Sequence, residues 1–103
     1  PKLNTTIGVI ATDAPLTKAQ LKRVAMTGHD GIARAVRPAH SPLDGDTLFA
    51  VSTAAPGEQP VTDVETLGRI GEAAAQAVQA AIVNTVVHAT GAFGVSAWQD
   101  LAR

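Results

Sequence analysis

Two short polar segments hold the residues whose types and spacing could do chemistry: Asn4-Thr5-Thr6 and Asp44-Gly45-Asp46. Each comes just before a run of apolar residues. A threonine hydroxyl is a weak nucleophile unless a base lies beside it. A threonine at the N-terminus of its own chain carries such a base, because its free α-amine has a reference pKa of about 8. Thr5 is therefore a candidate nucleophile if the chain is cut before it, and otherwise a polar residue at a strand edge.

The segment Asp44-Gly45-Asp46 has two interpretations. Asp-Gly is common turn chemistry, which favours a simple turn. A carboxylate pair at this position could instead orient a nucleophile and exchange protons with it. The remaining ligands of an EF-hand calcium loop do not follow, so we predict no metal site here.

The histidines carry no recognisable motif. His29, His40 and His88 are not at metal-ligand spacing, and no H-E-x-x-H pattern occurs. We interpret all three as structural or solvent-facing residues. The sequence has no cysteine, G-x-G-x-x-G fingerprint or P-loop, so we expect no thiolate metal site and no cofactor.

Composition indicates a single small domain spanning residues 1–103. The chain is 46% hydrophobic but only 3% aromatic, which suits a chain that buries much of its surface against a partner. Its net charge is −1 with scattered basic residues, which argues against nucleic acid as a partner. Polar residues interrupt the apolar stretch Ala73–Ala89, which predicts a buried helix and no membrane contact. We expect a cytoplasmic protein.

Hydrophobic patterning predicts an α/β fold in the order β-α-β-α. We expect strands at Leu3–Thr12 and Thr47–Ala54, and helices at Thr17–Arg37 and from Thr62 to about His88. Both strands are almost continuously apolar, which is typical of strands covered on both faces. Two such strands do not make a stable sheet alone, so the chain is predicted to be part of a larger fold.

Capping signals mark the helix boundaries. Thr17 with Gln20, and Thr62 with Glu65, have capping-box spacing. Gly91 is predicted to stop the second helix, and the tail at 92–103 is weakly patterned. Along the first helix a single apolar stripe recurs at helical spacing, formed by Leu21, Val24, Gly28, Ile32 and Ala35.

The stretches NTTIGVIATDAPLTKAQLKRVAMTGHDGIARAVRP and DGDTLFAVSTA resemble the C-terminal segment of the DmpA-like family. This family includes L-aminopeptidase/D-esterases, β-aminopeptidases and nylon-oligomer hydrolases. The resemblance is close over Asn4–Ala54 and looser over the long helix. It implies an N-terminal-nucleophile hydrolase whose precursor cleaves itself before a Ser or Thr. The larger N-terminal (α) chain and the smaller chain then stay together in a four-layered α/β/β/α fold, and these αβ units form oligomers.

Carried onto this sequence, the resemblance implies that Asn4–Thr5 is the scissile bond and Thr5 the nucleophile. Residues 1–4 are then the pre-cleavage segment. Asp44 and Asp46 match the acidic pair of the nylon-oligomer hydrolases, and we expect them to hydrogen-bond with each other and with Thr5. A lysine and an oxyanion-binding asparagine come from the larger chain, so this chain alone is expected to be inactive.

The function predicted from these residues is the nucleophile-bearing subunit of a self-processing amide or peptide hydrolase. It resembles aminopeptidases or 6-aminohexanoate-oligomer hydrolases, with a small amide or peptide as substrate and no cofactor. The alternative is a non-catalytic α/β assembly or binding module of the same family. Retention of Pro1–Asn4 would favour that alternative, because the Thr5 nitrogen would stay an amide.

Overall fold

A computed structural model describes residues 4–101 of the chain. Its elements are β1 (Ile7–Thr12), α1 (Lys18–Ala35), β2 (Thr47–Ser52), α2 (Val64–His88) and the short α3 (Trp98–Leu101). The predicted α/β class and β-α-β-α order are confirmed, with one further short helix in the tail. The predicted start of the first strand at Leu3 lies outside the described residues.

The two strands form a parallel pair with α1 as the connection between them. The register runs from Ile7 opposite Thr47 to Thr12 opposite Ser52. Parallel strands need such a crossover, and a helix commonly supplies it. Because the strands are parallel, the segments that precede them lie at the same end of the sheet.

Both long helices cover the same face of the sheet. Ile10 of β1 packs with Val24 of α1 and Ala74 of α2, and Leu48 of β2 lies against this cluster. The opposite face is bare, with Ile7 71%, Val9 68%, Phe49 58% and Val51 44% exposed. The prediction that the strands are covered on both faces is therefore wrong for the chain by itself, because both helices lie on one side.

Helix α1 begins as its sequence predicts. The Thr17 hydroxyl accepts from the N–H of Gln20 (3.1 Å), and the Gln20 side chain accepts from the N–H of Thr17 (2.9 Å). This confirms the predicted capping box. The helix ends at Ala35, slightly before the predicted Arg37, and Val36 is already extended. The residue before a proline disfavours the helical region, which agrees with an end ahead of Pro38.

Helix α2 is capped by Asp63, so the predicted capping box of Thr62 and Glu65 is wrong. The Asp63 carboxylate accepts from both the N–H (2.9 Å) and the hydroxyl (2.6 Å) of Thr66. The side-chain and backbone hydrogen bonds from Thr66 lower the pKa of the Asp63 carboxyl below its ordinary value. A negative acceptor also suits the positive end of a helix. The helix ends at His88, as predicted.

The two long helices pack closely where Gly31 of α1 meets α2. A Cβ on Gly31 would lie 2.8 Å from the Cβ of Val78 and 2.9 Å from the backbone nitrogen of Gln79. Within the predicted apolar stripe, Val24, Gly28 and Ile32 are buried. Gly31 therefore permits close approach of the two helix backbones.

The tail folds back onto the end of α2. The Gln99 side chain donates a 2.6 Å hydrogen bond to the carbonyl oxygen of Ala89. Trp98 and Leu101 of α3 stay 51% and 74% exposed. Over residues 4–101, no helix is both long and apolar enough to cross a bilayer.

Candidate active site

The parallel sheet brings the two polar segments together, although they are far apart in sequence. Asn4 forms a parallel bridge with Asp44. Its N–H donates to the carbonyl oxygen of Leu43 (3.2 Å), and the N–H of Thr47 donates to that of Thr6 (2.8 Å). Thr5 therefore lies beside the Asp44–Asp46 segment, ahead of both strands.

The backbone of Gly45 contacts the peptide bond that precedes Thr5. The Gly45 N–H donates a 2.8 Å hydrogen bond to the carbonyl oxygen of Asn4. A Cβ on Gly45 would lie 3.4 Å from the Thr5 hydroxyl oxygen and 4.0 Å from the Asn4 carbonyl oxygen. The Thr5 hydroxyl and the Asn4 carbonyl thus both face Gly45.

The Asp46 carboxylate holds the peptide bond that follows Thr5. Its Oδ1 accepts from the N–H of Thr6 (3.2 Å). Its Oδ2 lies 2.8 Å from Nδ1 of His40, and the Asp46 side chain is only 7% exposed. We call the Gly45–Asn4 and Asp46–Thr6 hydrogen bonds together the Thr5 clamp. The clamp fixes the peptide groups on both sides of Thr5.

Asp44 has a different local role. Its carboxylate accepts from the N–H of Ser41 (3.0 Å), and its own N–H donates to the Ser41 carbonyl (3.0 Å). The expected hydrogen bonds of Asp44 and Asp46 with each other and with Thr5 are not found among residues 4–101, since Asp46 contacts Thr6 and His40 instead. The Asp44 side chain folds back on its own loop, as Asp commonly does in turns. The turn interpretation therefore fits Asp44, while Asp46 holds the backbone beside Thr5.

His40 contacts the candidate site, which the sequence did not indicate. Its imidazole contacts Asp46, and its ring centroid lies 5.0 Å from that of His29 on α1. The backbone of His40 has φ +57°. No motif marks this contact, because it depends on the path of the loop between α1 and β2. By contrast, His88 is exposed, with Nδ1 2.9 Å from the Asn84 carbonyl oxygen, as expected for a solvent-facing residue.

A cleft of about 600 Å³ opens beside Thr5 between β1 and the C-terminal half of α2. Its lining is mostly apolar and includes Ile10 of β1 and Ala77, Ile82 and Val86 of α2. The cleft follows the edge of β1 away from β2, where backbone N–H and C=O groups lack a strand partner among residues 4–101. An unpaired strand edge of this kind is a template for pairing with a further strand.

In the part of the chain that the structure describes, no three His, Cys, Asp or Glu side chains are grouped so that they could hold a metal ion. The peptide groups on either side of Thr5 are held by the Gly45 N–H and by the Asp46 carboxylate, which also contacts the His40 imidazole. A carboxylate can take a proton from a hydroxyl nucleophile, and a backbone N–H can stabilise a developing oxyanion.

The family model and the similar proteins point to the same family. A sequence model of peptidase family S58 matches residues 1–99. A Mycobacterium tuberculosis protein named as an uncharacterized aminopeptidase is 42% identical over 106 residues, covering 95% of this chain and 31% of the relative. Its Mycobacterium leprae counterpart, with the same kind of name, is 45% identical over 101 residues, covering 90% of this chain and 28% of the relative.

A third relative has a different named activity. The 6-aminohexanoate-oligomer endohydrolase of Paenarthrobacter ureafaciens is 42% identical over 50 residues, covering 48% of this chain and 14% of the relative. The chain thus spans less than a third of the length of each of these three relatives.

Proposed function

Because the chain belongs to peptidase family S58, we propose that it is the nucleophile-bearing part of a self-processing amide hydrolase, with Thr5 as the nucleophile. The observation that carries this proposal is the Thr5 clamp. The bond from the Gly45 N–H polarises the carbonyl of Asn4, which is the carbonyl that the Thr5 hydroxyl must attack. The Gly45 bond belongs to the parallel bridge of Asn4 with Asp44, and the Asp46 carboxylate adds a side-chain contact on the other side of the exposed Thr5.

Self-cleavage would proceed by transfer of the Asn4 acyl group from nitrogen to oxygen. The Thr5 hydroxyl oxygen attacks the Asn4 carbonyl carbon, and its proton passes to the Asp46 carboxylate. Negative charge develops on the Asn4 oxygen, where the Gly45 N–H already donates. The C–N bond then breaks, and the nitrogen takes the proton to become the α-amine of Thr5. Water hydrolyses the resulting ester, leaving Asn4 as a carboxylate and Thr5 with a free hydroxyl.

Substrate hydrolysis would reuse the same hydroxyl. Thr5 attacks the substrate amide carbonyl and expels the amine, and water then hydrolyses the acyl-enzyme ester. The freed α-amine of Thr5 relays the protons, since an α-amine titrates at about pH 8. We propose small amides or peptides as substrates, by analogy with relatives named as aminopeptidases and as a 6-aminohexanoate-oligomer endohydrolase.

The missing part of the site would come from a larger N-terminal chain of the same precursor. The bare sheet face carries Ile7, Val9, Phe49 and Val51, and an apolar face of this kind is ordinarily buried. The relatives are more than three times as long as the matched region, which leaves ample chain to cover it. We propose that a second sheet packs on this face to give the four-layered α/β/β/α fold. The larger chain would add the lysine and the oxyanion-binding asparagine, and the αβ units would assemble further.

The test is the self-cleavage of the precursor expressed from its full reading frame. Intact-mass spectrometry and N-terminal sequencing should find a small chain that begins at Thr5 and a larger chain that ends at Asn4. Thr5→Val has nearly the shape of threonine without the hydroxyl and should leave one uncut chain, whereas Thr5→Ser should still cleave. A wild-type precursor that stays whole, or a cut elsewhere, would reject this mechanism in favour of a non-catalytic α/β assembly or binding module.

A further inference from the structure

His40 stands between solvent and the buried carboxylate that holds the backbone after Thr5. We propose that His40 is a positioning residue for Thr5 and acts through Asp46. This inference rests on the proposed self-cleavage at Asn4–Thr5. His40 itself makes no hydrogen bond with Thr5 among the described residues. Its effect must therefore pass through the carboxylate.

The contact geometry supports this role. His40 Nδ1 lies 2.8 Å from Oδ2 of Asp46, while Oδ1 of the same carboxylate accepts from the N–H of Thr6 at 3.2 Å. A carboxylate can rotate about its last single bond, and a partner on one oxygen fixes where the other oxygen points. With the imidazole in place the Asp46 side chain is only 7% exposed, so His40 occupies a position that solvent would otherwise reach.

The backbone at His40 has an uncommon conformation. Its φ of +57° lies in the left-handed region, which few residues other than glycine adopt, although histidine, asparagine and aspartate tolerate it better than most. Residues in this region are found disproportionately at functional sites. The ring also lies near His29 of α1, with 5.0 Å between the ring centroids. His40 is thus constrained by its own backbone, by α1 and by Asp46.

Substitutions at His40 can distinguish the effect of its hydrogen bond to Asp46 from the effect of its left-handed backbone. His40→Asn tolerates the left-handed conformation, and its amide nitrogen can take the place of Nδ1. His40→Gly adopts the left-handed conformation without strain and removes the hydrogen-bond donor to Asp46. His40→Asp matches the shape of asparagine but cannot donate as a carboxylate, and it repels Asp46. His88→Asn is the control, since His88 is exposed at the far end of α2.

The first measurement is the rate of self-cleavage of the full precursor after refolding. His40→Gly and His40→Asp should slow cleavage by up to about a hundredfold, the cost of a misplaced reacting group. His40→Asn and His88→Asn should cleave at close to the wild-type rate. Wild-type cleavage by His40→Gly would overturn the proposal. Equal losses of cleavage rate in His40→Asn and His40→Gly would also overturn it. The imidazole would then act by more than the hydrogen bond that an amide can replace.

The second measurement needs no cleavage and so separates this inference from the proposed function. In the uncleavable Thr5→Val precursor, amide hydrogen exchange is followed at Thr6. His40→Gly should speed exchange of the Thr6 N–H, and His40→Asn should leave it protected. Unchanged protection in His40→Gly would overturn the proposal even if the wild-type precursor cleaves. If His40→Gly does not fold, His40→Asp takes its place in both measurements.

Discussion

The backbone N–H of Gly45 donates a 2.8 Å hydrogen bond to the carbonyl oxygen of Asn4, on the peptide bond that precedes Thr5. This bond joins two polar segments that the parallel pairing of β1 and β2 places side by side. The donor is already in position in the uncleaved chain. A preorganised donor of this kind stabilises negative charge without reorganising during the reaction.

Removal of the Gly45 N–H should slow self-cleavage strongly. Gly45→Pro lacks the donor, and loss of one oxyanion donor typically costs about 10²–10³ in rate. Gly45→Ala is the matched control, because its N–H is kept and its Cβ would lie no nearer than 3.4 Å to the Thr5 hydroxyl oxygen. Gel time courses of the full precursor measure both rates.

Proline at position 45 also restricts the backbone of Asp44, so the fold of Gly45→Pro needs its own measurement. Thermal unfolding and circular dichroism of the two variants should agree closely. Equal cleavage rates for Gly45→Pro and Gly45→Ala would show that this N–H contributes nothing to the reaction.

Asp46 should contribute more than Asp44 to the rate of self-cleavage. Asp46→Asn removes the negative charge next to Thr6 and His40, and loss of a proton-transfer group typically costs about 10²–10⁴ in rate. Asp44→Asn keeps an oxygen that can accept from the N–H of Ser41, so it should cleave faster than Asp46→Asn. Mass spectrometry of the precursor over time measures the cleavage rates of the two variants. A larger loss in Asp44→Asn would show that Asp44, despite its position in the turn, carries the proton.

Much of the fold was predictable because it depends on local patterns. The capping box at Thr17, the end of α2 at His88 and the β-α-β-α order all follow from nearby residues. The resemblance to the DmpA-like family is confirmed by the match to peptidase family S58. The assignment of catalytic roles to Thr5, Asp44 and Asp46 stays a prediction.

The remaining features depend on contacts that no local pattern records. The residue that caps α2 is Asp63 and not Thr62, because the Asp63 carboxylate accepts two hydrogen bonds from Thr66. The contact between His40 and Asp46 depends on the path of a loop with a left-handed residue. The bare sheet face follows from both helices packing on the same side. Apolar strands indicate that a covering layer exists, but not which chain provides it.

The packing of α1 on α2 should be sensitive to a single methyl group at Gly31. A Cβ there would meet the backbone and the Val78 side chain of α2, and such overpacking typically costs about 1–3 kcal/mol. Gly68→Ala is the matched control, because a Cβ at this position in α2 has no neighbour within 4 Å. Alanine there should stabilise the protein by about 0.5–1 kcal/mol. Urea unfolding of the full-length protein measures both changes, and similar effects at the two sites would contradict the close packing at Gly31.

The cap of α2 should weaken in acid. The pKa of the Asp63 carboxyl is lowered in the folded state, mainly by the hydrogen bonds from Thr66. A lowered folded-state pKa means that the folded chain binds fewer protons than the unfolded chain. The stabilisation is therefore fully present above the ordinary aspartate value of about 3.9 and is lost as the pH falls through the folded-state value.

Asp63→Asn isolates this effect from the other carboxylates. Asparagine caps helices about as well as aspartate but does not titrate, so all other acid-labile contacts are shared by the two proteins. Thermal unfolding of both, measured from neutral to acidic pH, should show wild type the more stable at neutral pH. That advantage should shrink in acid, because a protonated carboxyl accepts hydrogen bonds less strongly and no longer favours the positive end of the helix. A constant difference between the two proteins across the pH range would show that Asp63 does not stabilise α2 through its charge.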